Sequence, residues 1–176
     1  MKLWLLDADV VIKFLELDIF DRLAEHHQLF AASTVVDEVK YFRRNREKIF
    51  VAFRQKYVES GRVAEMSATI EEVSAILQRL PVLRQQAIHA GELESLAVLV
   101  RKEEMTLCTF DAAVIHCLPY LDVVNRATSA ERLLSASGLT LSPSHRLDPR
   151  LTESYFKSNM DQGQKEYICS FGKGKK

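Results

Sequence analysis

Two hydrophobic rhythms alternate along the chain. Residues 3–6, "LWLL", form a short unbroken apolar run, the pattern of a strand buried on both faces. From residue 9 to about 27 the apolar positions return at helical spacing, in two pieces broken near Leu17 and Asp18. "QLFAAS" (28–33) reads as a second buried strand, with Ser33 as N-cap of a helix over "TVVDEVKYFRRN". A further basic, aromatic helix is predicted over about 46–59, stopped by Gly61. "RVAEMS" (62–67) alternates as a third strand. Thr69 then caps "IEEVSAILQRL", where Ile70, Val73, Ile76, Leu77 and Leu80 keep helical spacing. A linker follows Pro81.

Beyond that linker the same alternation continues. "GELESLAVLVRKEE" is a helix, "MTLCTF" a fourth strand and "DAAVIHCL" a short helix. "DVVNRAT" (122–128) makes a fifth strand, and Ser129 and Gly138 bracket the helix "AERLLSASG". Residues 139–149 read as a connector, leading to a peripheral helix over about 150–170 and the tail "GKGKK". Strands alternating with helices predict an α/β fold whose mainly parallel five-stranded sheet is covered on both faces. The expected organisation is one domain over 1–139, with 140–176 as connector, peripheral helix and basic tail.

Composition narrows the class of protein. With 176 residues, 47% apolar and 27% charged, the chain can bury one substantial core. Its formal net charge of zero gives no overall attraction for a polyanion. The distribution is uneven, however. Residues 16–38 carry Glu16, Asp18, Asp21, Glu25, Asp37 and Glu38 against Arg22, whereas 40–62 carry Lys40, Arg43, Arg44, Arg46, Lys48, Arg54, Lys56 and Arg62 against Glu47 and Glu59. Such neighbours can set a metal site beside a polyanion track. The cysteines Cys108, Cys117 and Cys169 include no C-x-x-C pair, and the five histidines show no metal-ligand spacing. No apolar run approaches the ~18 residues of a membrane span, and the N-terminus has no signal-peptide pattern. A cytoplasmic protein without membrane association is expected.

Candidate chemistry centres on carboxylates at strand ends. "LWLLD" ends on Asp7 and "TLCTFD" on Asp111. In an open α/β sheet ligands bind beyond the carboxyl ends of the strands, where the winding reverses, so neighbouring first and fourth strands would present both acids to one crevice. In the helix after strand two, a stripe of Val35, Val36, Val39 and Phe42 puts Glu38 at its flank and Asp37 toward solvent. In the helix from Gly91, Glu92 and Glu94 flank the apolar face symmetrically, and periodicity does not choose between them. Each acid has an ordinary structural explanation, Asp7 and Asp111 as helix caps, Glu92 and Glu94 as dipole partners and Glu38 as a surface residue at the edge of the core. Gathered together, they need protons or a hard cation such as Mg²⁺ or Mn²⁺.

These segments resemble the PIN-domain family of metal-dependent ribonucleases. "LLDADVVI" looks like its opening strand end, and "STVVDEV" like its second motif. "AGELESLAVL" is similar to the third and "LCTFDAAV" to the fourth, in family order and extending to about Leu139. The resemblance implies a three-layer α/β/α fold of strand order 3-2-1-4-5, often dimeric, that cleaves single-stranded RNA with Mg²⁺ or Mn²⁺. Many prokaryotic members are toxins held by an antitoxin-like protein. Carried over position by position, the catalytic and metal-binding acids are Asp7, Glu38, Glu92 and Asp111, with Asp9, Glu94 and Thr109 as auxiliaries. Asp9 stands where the family has Ser or Asn, and Phe110 where a small polar or acidic residue is common.

Other readings of the same residues exist. "DADVVI" also fits the D-x-D-x-[TV] opening of haloacid-dehalogenase-type phosphatases, with Asp7 as nucleophile and Asp9 as general acid. The later paired acids of that class are missing, and no glycine precedes Gly61 to build its flap. A receiver domain fails at "RVAEMS". A catalytically degenerate PIN-like module that binds RNA or protein is the non-enzymatic alternative. In the basic run, Lys40, Arg43, Arg44 and Arg46 are candidate RNA contacts, with the interleaved aromatics expected to be buried.

Overall fold

A computed structural model of the chain describes residues 3–139 and 148–172. The predicted β/α alternation is present. β1 (Leu3–Leu6), α1 (Ala8–Glu16), α2 (Phe20–His26), β2 (Gln28–Ala32) and α3 (Ser33–Glu38) come first. A hairpin of β3 (Tyr41–Arg44) and β4 (Glu47–Phe50) follows, then β5 (Val63–Met66), α4 (Ile70–Arg79), α5 (Val82–Ala87) and α6 (Ala90–Arg101). β6 (Met105–Cys108), α7 (Ala112–Leu121), β7 (Ala127–Thr128), α8 (Ala130–Ala136) and α9 (Glu153–Gly172) complete it. Five strands form one all-parallel sheet in the order β5-β2-β1-β6-β7, the expected third-second-first-fourth-fifth arrangement.

Alternation of side chains along β1 divides the core. Trp4 and Leu6 face one layer with α1, α2, α3 and α8, whereas Leu5 faces the other with α4, α6, α7 and α9. Both faces of the sheet are therefore covered, which is what its unbroken apolar strands require. The C-terminal helix, expected to be peripheral, packs against α7. Phe156 and Met160 enter the core, and Gly163 lets the two backbones approach, since a Cβ there would lie 2.9 Å from the Cα of His116. Among the described residues no helix is long and apolar enough to cross a membrane.

Local signals account for most boundaries. Asp18, at φ 59°, separates α1 from α2. Thr69 and Glu72 cap α4 reciprocally through backbone N–H bonds of 3.2 and 2.8 Å, and Ser129 accepts the Arg132 N–H at 3.1 Å to start α8. Gly61 and Gly138 take the left-handed conformation at φ 76° and 65°.

Four expectations are corrected. The helices expected over residues 34–45 and 46–59 are replaced by α3, the hairpin and one wide helical turn over Arg54–Val58. Asn45 and Arg46 both have positive φ, 52° and 68°, the geometry of a two-residue hairpin turn. Phe42 and Ile49 pack inward on the α1 layer, a period of two that the sequence also fits. Ser33 does not cap α3: Ala32 is the N-cap, and the Ser33 hydroxyl hydrogen-bonds that of Ser67 at 2.6 Å. The linker after Pro81 contains α5. The fifth strand shrinks to Ala127–Thr128, because Asp122 ends α7 in a left-handed conformation and a single 3₁₀ turn, Val124–Arg126, precedes the strand.

Candidate functional site

The sheet order reverses between β1 and β6, and both strands end on a carboxylate at that point. Past the last paired residues, Leu6 and Cys108, the Asp7 N–H still bonds the Cys108 carbonyl at 3.2 Å. Asp7 is 6% exposed. Its Oδ1 accepts the Ala8 N–H at 2.8 Å as the cap of α1, and its Oδ2 accepts the Thr109 hydroxyl at 2.8 Å. Thr109 Oγ1 accepts in turn the N–H of Asp111 at 3.1 Å. Asp111 caps α7, with Oδ1 accepting from Ala113 N–H at 2.6 Å and Val114 N–H at 3.1 Å. The ordinary capping role and a shared crevice thus coexist in both acids, and Thr109 joins them.

The other carboxylates come from α6, α3 and α1. Glu92, in the first turn of α6 and half-buried, accepts the His89 N–H at 2.7 Å. Glu38 is exposed at the end of α3, its carboxylate lying over Gly91, where a Cβ would stand 3.0 Å from Oε1. Asp9 is exposed in the first turn of α1. Burial, and then the charges of Glu92 and Asp9, push the Asp7 carboxyl up to about 7 against the hydrogen bonds from Thr109 and Ala8. Burial and the charges of Asp111 and Asp9 likewise raise Glu92 above the usual carboxylate range. Asp7, Asp9, Glu92 and Asp111 therefore share one electrostatic neighbourhood, and Glu38 borders it across Gly91.

Glu94 does something else. It is 9% exposed, with Oε2 accepting from the Thr34 N–H and hydroxyl at 2.9 and 2.6 Å and Oε1 from the Ala68 N–H at 3.2 Å. It straps α6 to the start of α3 and to the segment after β5, with both oxygens consumed. The sidedness that periodicity left open is thereby settled: Glu92 faces the crevice, and Glu94 faces the packing between elements.

Arg150 went unnoticed in the sequence because no local pattern marks its contact with Phe110. Its guanidinium stands 5.2 Å from the centre of the buried Phe110 ring, is held by Asp148 at 2.8 Å, and has Asp9 among the charges that raise its pKa. A cation therefore stands on the Asp9 side of the crevice, beside the Phe110 ring and paired with Asp148. Cys108, beside Asp7, is no nucleophile, since burial pushes its thiol far above the usual range. Of the four basic candidates, Lys40, Arg43 and Arg46 project from the hairpin into solvent. Arg44 is used internally, donating to the Leu15 carbonyl at 2.7 Å and to Asp18 at 2.9 Å. Among the described histidines and acids no group of three already holds metal-coordinating positions; His145 lies outside the described residues. The donor set is all carboxylate oxygen, the chemistry that suits Mg²⁺ or Mn²⁺, and the raised Asp7 and Glu92 are the acids such a cation would neutralise.

Comparison with protein-family models, curated proteins and solved structures gave no match to this chain. The functional reading consequently rests on the residues and their arrangement.

Proposed function

We propose that the chain is a divalent-metal-dependent ribonuclease of PIN-domain type, cleaving phosphodiester bonds in single-stranded RNA. The observation that carries this reading is the convergence of acids from three segments on the β1/β6 switch point, with Asp7 and Glu92 both raised by burial and by neighbouring carboxylates. Asp7, Glu92 and Asp111, with Glu38 beside them, would hold Mg²⁺ or Mn²⁺. When bound, such an ion polarises a phosphodiester and lowers the pKa of its water. The chain's own contribution is orientation. Thr109 fixes Asp7, the first-turn amides of α7 fix Asp111, and the His89 amide fixes Glu92. A toxin role, an antitoxin-like partner and a homodimer accompany the reading as parts of the resemblance, and a cytoplasmic location accompanies it from the cysteine pattern of the sequence.

The decisive assay is cleavage of single-stranded RNA by purified protein with Mn²⁺. We expect activity that EDTA abolishes and that Asp7→Asn and Asp111→Asn each lower by about 100-fold or more. Equal cleavage in the variants would assign the activity to a contaminant and end the proposal. A second reading, a binding module without hydrolysis, is favoured by one detail: both Asp7 oxygens already accept hydrogen bonds. It expects RNA binding with no cleavage at any metal concentration. The phosphatase alternative has less support, because α1 begins at Ala8, immediately after Asp7, and leaves no loop for a flap.

A further inference from the structure

The expectation that the aromatics of the basic run are buried holds for Phe42, Phe53 and Tyr57 but fails on the β3–β4 hairpin for Tyr41 and Phe50. Tyr41 pairs with Phe50 and Arg43 with Lys48 across the two strands, so these four side chains share one face, opposite the inward Phe42 and Ile49. Phe50 is 74% exposed and Tyr41 38%. Their rings are tilted by 57° with centroids 6.2 Å apart, and the Lys48 ammonium lies 3.8 Å from the Tyr41 centroid and 4.9 Å from that of Phe50. Charge follows the same division. Arg54 is held by Asp37 and Glu65, Lys56 and Arg62 by Asp21, and Arg44 by Asp18. Lys40, Arg43 and Arg46 make no ion pair among the described residues.

We propose that this face is a docking platform for single-stranded RNA, with Tyr41 and Phe50 stacking on bases and Lys40, Arg43 and Arg46 contacting phosphates. Exposed rings ringed by uncompensated cations suit a flexible polyanion with flat faces better than an apolar protein surface. The position fits as well. The Lys40 N–H bonds the Glu38 carbonyl at 2.9 Å, and the Val51 N–H bonds that of Lys40 at 3.0 Å, so the hairpin base abuts the helix carrying Glu38. Three residues of chain keep the Tyr41 Cα within about 11 Å of the Glu38 Cα. The inference rests on the ribonuclease reading for the identity of the polyanion.

The test is fluorescence anisotropy of a labelled, mixed-sequence single-stranded oligoribonucleotide with the full chain in EDTA, where metal-dependent cleavage is off. Tyr41→Ala/Phe50→Ala should weaken binding about ten-fold or more, and Tyr41→Phe/Phe50→Trp should restore it. Ile70→Ala, an exposed aliphatic on α4, should change nothing. Replacing Lys40, Arg43 and Arg46 with Gln should flatten the slope of log affinity against log salt by about 2. Unfolding midpoints of the variants check that the fold is intact. The platform is refuted if the natural chain binds no RNA, or if the double alanine variant binds as tightly as the natural chain. Binding lost on that substitution, in a chain that cleaves nothing with Mn²⁺, would sink the ribonuclease reading while leaving the platform standing. Cleavage with undiminished affinity would do the reverse.

Discussion

Neutralising Asp7 should stabilise the metal-free protein, and the size of the effect follows from its burial. Burial pushes the carboxyl up to about 7 in the fold, against 3.8 for the free, solvated side chain. Below the lower value both states are protonated and burial carries no penalty. Between the two the folded state holds one more proton, so stability falls as pH rises, by about 1.4 kcal/mol per pH unit. Across the interval the loss has a ceiling of about 4 kcal/mol and is complete above the folded value. Asp7→Asn escapes that loss. It keeps an acceptor for the Ala8 N–H, but its amide nitrogen cannot accept the Thr109 hydroxyl proton, so about half the ceiling, ~2 kcal/mol, is expected near pH 8. For a chain of this size that is about 4–8 °C in unfolding midpoint. Thermal or urea unfolding in EDTA, followed from about pH 4 to about pH 8, should show the two proteins converging in acid and separating as pH rises. Added Mn²⁺ should then stabilise the natural protein and leave the variant unmoved. A gap independent of pH, or a variant less stable at alkaline pH, would refute the assignment of the penalty to Asp7.

Two further expectations concern the packing that holds the site. Glu94→Ala should destabilise the protein by about 2–4 kcal/mol, because Thr34 and Ala68 lose their shared acceptor at partly buried positions; denaturant unfolding measures it, and a change below about 0.5 kcal/mol would show the strap to be dispensable. Gly163→Ala should cost about 1–3 kcal/mol despite the better helix propensity of alanine, since the added carbon meets His116 backbone rather than a movable side-chain end; a rise in unfolding midpoint would contradict the close packing of α7 and α9.

The parallel sheet was legible because unbroken apolar runs such as "LWLL" and "QLFAA" are what a strand covered on both sides needs, and helical periodicity follows each one. The hairpin was not. "YFRR" and "EKIF" fit a period of two as well as one of 3.6, and Asn45-Arg46 lacks the glycine that announces a two-residue turn. Asp7 and Asp111 could be placed at one crevice from their matching strand ends, since topology alone brings them together. Glu92 and Glu94 could not be separated, because the wheel shows only that both flank the apolar face. What distinguishes them is a neighbour distant in sequence: Thr34 and Ala68 claim Glu94, and His89 orients Glu92. Arg150 escaped for the same reason, its meaning lying in a contact with Phe110 that no local pattern encodes.

One hydroxyl divides the crevice mechanically. Thr109 donates to Asp7 and accepts from the Asp111 backbone two residues on, so the ends of the two central strands cannot spread without breaking the Thr109–Asp7 bond, and the same hydroxyl holds the Asp111 backbone in place. Among the described residues Glu38 has no such clamp: it is exposed at the tip of a six-residue helix, against a residue that offers no side chain. In the proposed metal site the strand-end acids are thus the ligands whose spacing is set by hydrogen bonds, and Glu38 is the one whose spacing is not.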